Sequence, residues 1–97
     1  MLNAYVIGNI TIKDENKWSQ YRSKVAETLR PWGGELVFRG VVSEVLVGEI
    51  GHTDNVVIGF PDMESLDGWF NSEKYQSLVT IRNKAAQMDL ASYQAGS

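Results

Sequence analysis

Few side chains in this sequence can do ligand or acid–base chemistry, and their spacing limits what that chemistry is. Along "EKYQSLVTIRNKAA" (73–86), Tyr75, Leu78, Val79, Ala85 and Ala86 recur at helical spacing, and Arg82 falls in the same stripe. A guanidinium stays charged in a protein, so a buried one needs a carboxylate, carbonyls or an anionic ligand. Arg82 therefore has three readings. It pins its helix through an internal salt bridge, it lays its stem on apolar surface with the head in water, or it grips a small acid at the mouth of a pocket between helix and sheet. Arg39 stands just before Gly40 in a strand-like stretch, where a bulge is expected, and bulges often re-aim a side chain near a site. It is either a second cation close to Arg82 or half of a cross-strand ion pair. Alternation would put Val37 and Arg39 on the face opposite Leu36 and Phe38.

Tyr75 and Trp69 flank a bend at Asn71 and Ser72. They could wall an apolar slot and offer a ligand a hydroxyl, or simply be core aromatics. Asn9 alternates with Ile7 and Thr11 on one strand face, where a buried amide needs partners. It either lines a barrel or bonds across a dimer. His52 is the only histidine, with Asp54 two residues on. It is the one side chain suited to proton transfer near neutrality, so it is the candidate catalytic base; the alternative is a solvent-exposed turn histidine. Arg22, Trp18 and Trp32 read as a surface cation and two core aromatics. Gly33 and Gly34 punctuate the backbone and form no phosphate loop.

The elements that must hold these groups emerge from periodicity. "AYVIGNITI" (4–12) alternates as a strand. Asp14 can cap a helix bearing Trp18, Tyr21, Val25 and Leu29 on one face, which Pro31 and Gly33 or Gly34 end. "ELVFRGVVSEVLVGE" (35–49) reads as one long strand with its bulge at Gly40. "NVVIGF" (55–60) reads as its antiparallel neighbour. Asp62 caps a helix over 63–71 that buries Leu66, Trp69 and Phe70. Ser72 caps a continuation running to about Gln87, and "MDLASYQ" (88–94) is the last strand. The order β-α-β-β-α-β is a split βαβ, ferredoxin-like α+β arrangement: a four-stranded antiparallel sheet with both helices on one face.

Composition bounds the rest. At 97 residues, one domain over 1–97 is expected, marginal alone and helped by a partner. Hydrophobic residues make up 43% and charged residues 22%, an ordinary globular balance. With 9 basic against 12 acidic residues, a net of −3, the cations are too few and too scattered for sequence-independent nucleic-acid binding. No cysteine is present, which removes disulfides and thiolate chemistry; with one histidine, no dedicated metal or haem site and no cofactor is expected. No stretch reads as a signal peptide or membrane span, so a cytoplasmic location is expected. The strands place apolar residues on both faces, for example Tyr5 and Ile7 against Val6 and Ile10. Helices can cover only one face, so a homodimer packed through the other sheet face is expected.

"YRSKV" (21–25), "GGELVFRG" (33–40), "VLVGE" (45–49), "FPDMESLDGWFNSEKYQSL" (60–78) and Arg82 together resemble the domain-of-unknown-function family numbered thirteen-thirty, within the dimeric α/β-barrel superfamily. The resemblance spans nearly the whole chain. It implies a homodimer whose sheets share a barrel and an arginine at position 82, and it supplies no reaction. The wider superfamily includes monooxygenases, isomerases and haem-degrading enzymes, an analogy at the level of fold. The expectation is an uncharacterised dimer that binds a small organic acid or aromatic acid in a pocket between helices and sheet. The alternatives are a cofactor-free isomerase or monooxygenase and a purely structural dimer. Whether Arg82 and Arg39 have internal carboxylate partners separates these readings.

Overall fold

A computed structural model describes residues 1–96. Strand β1 (Ala4–Ile12) runs into helix α1 (Glu15–Leu29) and a 3-10 turn (Arg30–Trp32), then strands β2 (Glu35–Val41) and β3 (Asp54–Phe60). Helix α2 (Met63–Phe70), the short helices α3 (Glu73–Gln76) and α4 (Val79–Ala85), and strand β4 (Ala86–Gln94) complete the order. The sheet order is β2-β3-β1-β4 and every pairing is antiparallel. This is the expected ferredoxin-like α+β arrangement, with the helices on one face and the sheet open rather than closed on itself. The molecule measures 34 × 32 × 16 Å, the thickness of one helix layer on one sheet.

Local chemistry explains most boundaries. Asp14 accepts from the Lys17 N–H at 3.0 Å, and this bond holds its carboxyl below the usual range, as an N-cap should. Asp62 does the same for α2 through the Ser65 N–H at 2.7 Å. Gly33, at φ 68°, takes the left-handed conformation that ends the 3-10 turn. Pairing alternates strictly along β1. Ala4, Val6 and Ile10 face the helices and are buried, while Tyr5, Ile7, Asn9 and Thr11 face the other way and stay half-exposed. Under the helices Val6, Ile10, Ile58 and Phe60 meet Trp18, Leu29, Leu66 and Trp69 in a single core.

Three expectations are corrected. The strand expected over 35–49 stops at Val41, because its neighbour β3 begins only at Asp54 and, among the described residues, no strand lies beside the later ones. Residues 43–50 leave the sheet as an exposed arm, with Leu46 and Val47 exposed at 83% and 93%. The bulge lies between Leu36 and Phe38 rather than at Gly40. Val37 packs over Gly59, where an added Cβ would fall 3.1 Å from it. The extra residue reverses the alternation: Leu36 and Arg39 join the helix face opposite Ile58 and Val56, and Phe38 turns to the open face. Finally, the helix expected to reach Gln87 is broken at Ser77–Leu78 and ends at Ala85. The Ala85 carbonyl accepts from the N–H groups of Lys13 and Asp14 at 2.8 and 3.0 Å, so the β1–α1 connection ends the helix from outside.

Gly68 inside α2 tests this packing. Alanine is worth about 1 kcal/mol over glycine in an open helix interior. Here a Cβ would strike the Trp32 ring, and overpacking costs about 1–3 kcal/mol. Gly68→Ala should therefore lower the urea midpoint; a raised midpoint would show that Trp32 does not rest on α2.

Candidate functional site

The helix layer stops short of the β4 edge, and a cavity of about 460 Å³ opens there between α2, α4 and β4. Its walls include Val6, Leu66, Phe70 and Leu90, with Arg82 and Asp67 among its charged members. The volume lies within the usual range of small-molecule sites. Phe70, expected to be buried, is instead 36% exposed and forms part of this wall.

Arg82 is half-buried on α4. Its Nη1 donates to the Tyr75 hydroxyl at 3.0 Å, which in turn shares a 2.9 Å hydrogen bond with the Tyr21 hydroxyl. The contact from Nε to Asn83 is long, at 3.4 Å. Among the described residues no carboxylate lies within ion-pair distance of Arg82; the pairs present are Lys17–Asp14 and His52–Asp89. Tyr75 is fully buried against the rings of Trp69 and Phe70. Its role toward Arg82 is therefore to aim the guanidinium, and its hydroxyl does not stand free in the cavity. An arginine can only donate, which leaves the Tyr75 proton available to Tyr21. Burial, reinforced by Tyr75, pushes the Tyr21 phenol far above its ordinary range.

The other expected residues do not gather here. Trp69 is 1% exposed and donates its Nε1–H to Thr28 Oγ1 at 2.8 Å, a core role, although its ring also borders a narrow slot under α1. Asn9 lies on the open sheet face and accepts from Asn55 Nδ2 at 3.0 Å across the β1–β3 pair. His52 is also on that side. Thr11 Oγ1 meets its Nδ1 at 2.9 Å and Asp89 Oδ2 meets its Nε2 at 2.7 Å. Its side chain is 7% exposed, so it is neither a free turn histidine nor part of the cavity wall; it fastens the end of the arm to β1 and β4. Arg39 borders a different cavity, with Arg22. It has no carboxylate partner among the described residues, so the cross-strand ion pair is absent there. Sequence reading missed Tyr21 as a partner of Tyr75, Asp67 as a cavity residue and Asn55 as the partner of Asn9. The Asn9–Asn55 match was recoverable only from the strand register.

This architecture is that of a ferredoxin-like α+β domain. The chain belongs to the family described as "Domain of unknown function (DUF1330)", whose model matches residues 3–94. Among solved structures, it is similar to the RPA0582 protein of unknown function from Rhodopseudomonas palustris, with a TM-score of 0.80 at 13% identity. That match covers 99% of this chain and 84% of the other. SnoaB, a cofactor-independent oxygenase from Streptomyces nogalater, matches with a TM-score of 0.68 at 10% identity over 100% and 96% of the two chains. A dimeric ferredoxin-like protein of unknown function from Thermobifida fusca matches with a TM-score of 0.60 at 9% identity over 97% and 92%. At these identities the likeness is one of fold. No curated protein matches the sequence.

Tyr75→Phe should cost about 1–3 kcal/mol in urea unfolding, because it leaves the buried Tyr21 hydroxyl without its partner at almost unchanged volume. Tyr21→Phe added to it should restore part of the loss, a non-additivity that a double-mutant cycle reads directly. The Tyr21 shift also fixes a pH dependence. With the folded value raised, the unfolded chain loses its phenolic proton first, so stability is full below the unfolded value and falls as pH rises above about 10. Urea titrations in alkaline buffers should show a shallower decline in Tyr21→Phe than in wild type.

Proposed function

We propose that this protein is a homodimer that binds a small organic acid, aromatic or aliphatic, in the cavity between α2, α4 and β4, with Arg82 as the anion's partner. The observation that carries the reading is the state of Arg82: half-buried, aimed by Tyr75, and without a carboxylate in reach among the described residues. Arg82 has N–H groups left over after the bond to Tyr75, and a guanidinium fork matches a carboxylate in two parallel hydrogen bonds. Apolar walls from Leu66, Phe70 and Leu90 suit the body of such an acid. Asp67 and Asp89, which also line the cavity, repel a second negative charge, which favours monoacids and acids that carry a donor on the far side.

The dimer half of the proposal rests on the uncovered sheet face. Val37, Phe38 and Tyr93 are exposed there, and the arm adds Val45, Leu46, Val47 and Ile50. Monomers seldom keep that much apolar surface in water. The Thermobifida fusca neighbour, described as dimeric, supports the same reading. The cavity opens on the helix side, so a partner on the open face leaves it accessible.

The likeness to SnoaB supports a second reading, a cofactor-free oxygenase. Such chemistry needs a titratable group at the ligand. His52 does not line the cavity, so its lining carboxylates Asp67 and Asp89, the second bonded to His52, are the candidates for that role.

Thermal shifts with acetate, benzoate and salicylate test the ligand. An acid at about ten times its Kd adds about 1.4 kcal/mol, equivalent to a rise of roughly 6–11 °C for a chain of this size. Arg82→Gln should abolish the rise, and the absence of any shift in the wild type would remove the acid-binding reading. Sedimentation should give twice the mass of one chain, falling to a single chain in Ile7→Lys. A monomeric wild type at micromolar concentration would exclude the dimer.

A further inference from the structure

The opposite rim of the helix layer has its own cavity. β2 is an edge strand, and α1 leaves its helix-side residues Leu36 and Arg39 uncovered. A groove of about 300 Å³ runs between that strand and α1, with Arg39 on one wall and Arg22 on the other. Ser19, Ser23 and Ala26 line the helical side, as their spacing along one helix face dictates; Leu36 and Ile58 line the sheet side. A narrower slot of about 40 Å³ between Trp18, Val25 and Val56 opens at the same two arginines.

The charge balance of this rim is one-sided. Among the described residues no Asp or Glu lines the groove or the slot, in a chain with 12 acidic residues against 9 basic ones. Neither arginine has a carboxylate within ion-pair distance among the described residues. Partial burial, and then the charge of Arg22, draws the Arg39 guanidinium below its ordinary range. Two cations thus share a groove with Leu36, Ala26 and Ile58, and no carboxylate among the described residues pairs with either. The Arg82 cavity is distinct: Arg82 does not border this groove, and Arg22 and Arg39 do not border that cavity.

We propose that the α1–β2 groove is a second ligand site, which takes an amphipathic organic anion. Its single oxyanion head lies between Arg22 and Arg39, and its short apolar body lies along Leu36, Ala26 and Ile58. The two guanidiniums supply charge and geometry for the head. The walls supply burial for the body, which gains by leaving water. Neither feature alone suffices: a bare anion gains only at an exposed, salt-screened rim, and a neutral chain leaves both cations uncompensated.

Octanoate, octanol and inorganic phosphate separate these terms by isothermal titration calorimetry. Octanoate should bind at least tenfold more tightly than either of the other two and should weaken as salt rises. Measured in the Arg82→Gln background, which removes the anion's partner in the first cavity, Arg39→Gln and Arg22→Gln should each reduce octanoate affinity about tenfold or more. Both rim arginines are exposed, so the variants should keep the wild-type circular dichroism. Arg39→Lys should retain part of the affinity by keeping the charge. The site is overturned if octanoate does not bind at millimolar concentration, or if octanol or phosphate binds as well. It is equally overturned if affinity follows Arg82 instead of the rim pair, an outcome that would place the octanoate in the first cavity and leave the acid-binding reading of Arg82 intact.

Discussion

Four strands present two apolar faces, and the chain has helices for only one of them. That constraint organises the molecule. On the helix side, Val6, Ile10, Ile58 and Phe60 meet Trp18, Leu66 and Trp69, and this contact supplies the core. On the other side Ile7, Val57 and Phe38 are held by neighbouring strands alone, and polar contacts tie the face together: Asn9 to Asn55, and His52 to Thr11 and Asp89. The helix layer is also narrower than the sheet. Cavities therefore open at both rims, with Arg82 beside β4 and the pair Arg22 and Arg39 beside β2, and none of the three has an acidic partner among the described residues.

Tyr21, Tyr75 and Arg82 show how the core and a rim are joined. Two buried phenols would be costly if unpaired. Bonding to each other and to a guanidinium that reaches outward satisfies them. No buried side-chain nitrogen or oxygen among the described residues lacks a partner. The same chain fixes the direction of Arg82, so α1, α3 and α4 are coupled to the geometry of the cavity through hydroxyl groups as well as through packing. Trp69, packed at a tilt against Tyr75 and bonded to Thr28, closes the arrangement from α2.

Alternation along "AYVIGNITI", the caps at Asp14, Asp62 and Ser72, and the breaks at Pro31 and Gly33 were legible because each depends on residues adjacent in the chain. So were the order of the elements along the chain and the surplus of apolar residues on the sheet. The end of β2 and the position of its bulge were not legible, since both depend on where β3 begins and on Gly59 making room for Val37. The bulge matters most for the candidate sites. One extra residue moved Arg39 from one face of the sheet to the other, and no pattern within "ELVFRG" reveals it.

The sequence by itself determined the fold class, the types of side chain available for chemistry and the presence of apolar residues on a second sheet face, because period, charge and hydropathy are properties of the chain. Only the tertiary structure decided which of those side chains meet. It joined Arg82 to Tyr75 and Tyr21, set Arg39 opposite Arg22, and drew His52 away to Asp89. Those meetings depend on register and on helix placement, which are set by contacts between residues far apart in sequence.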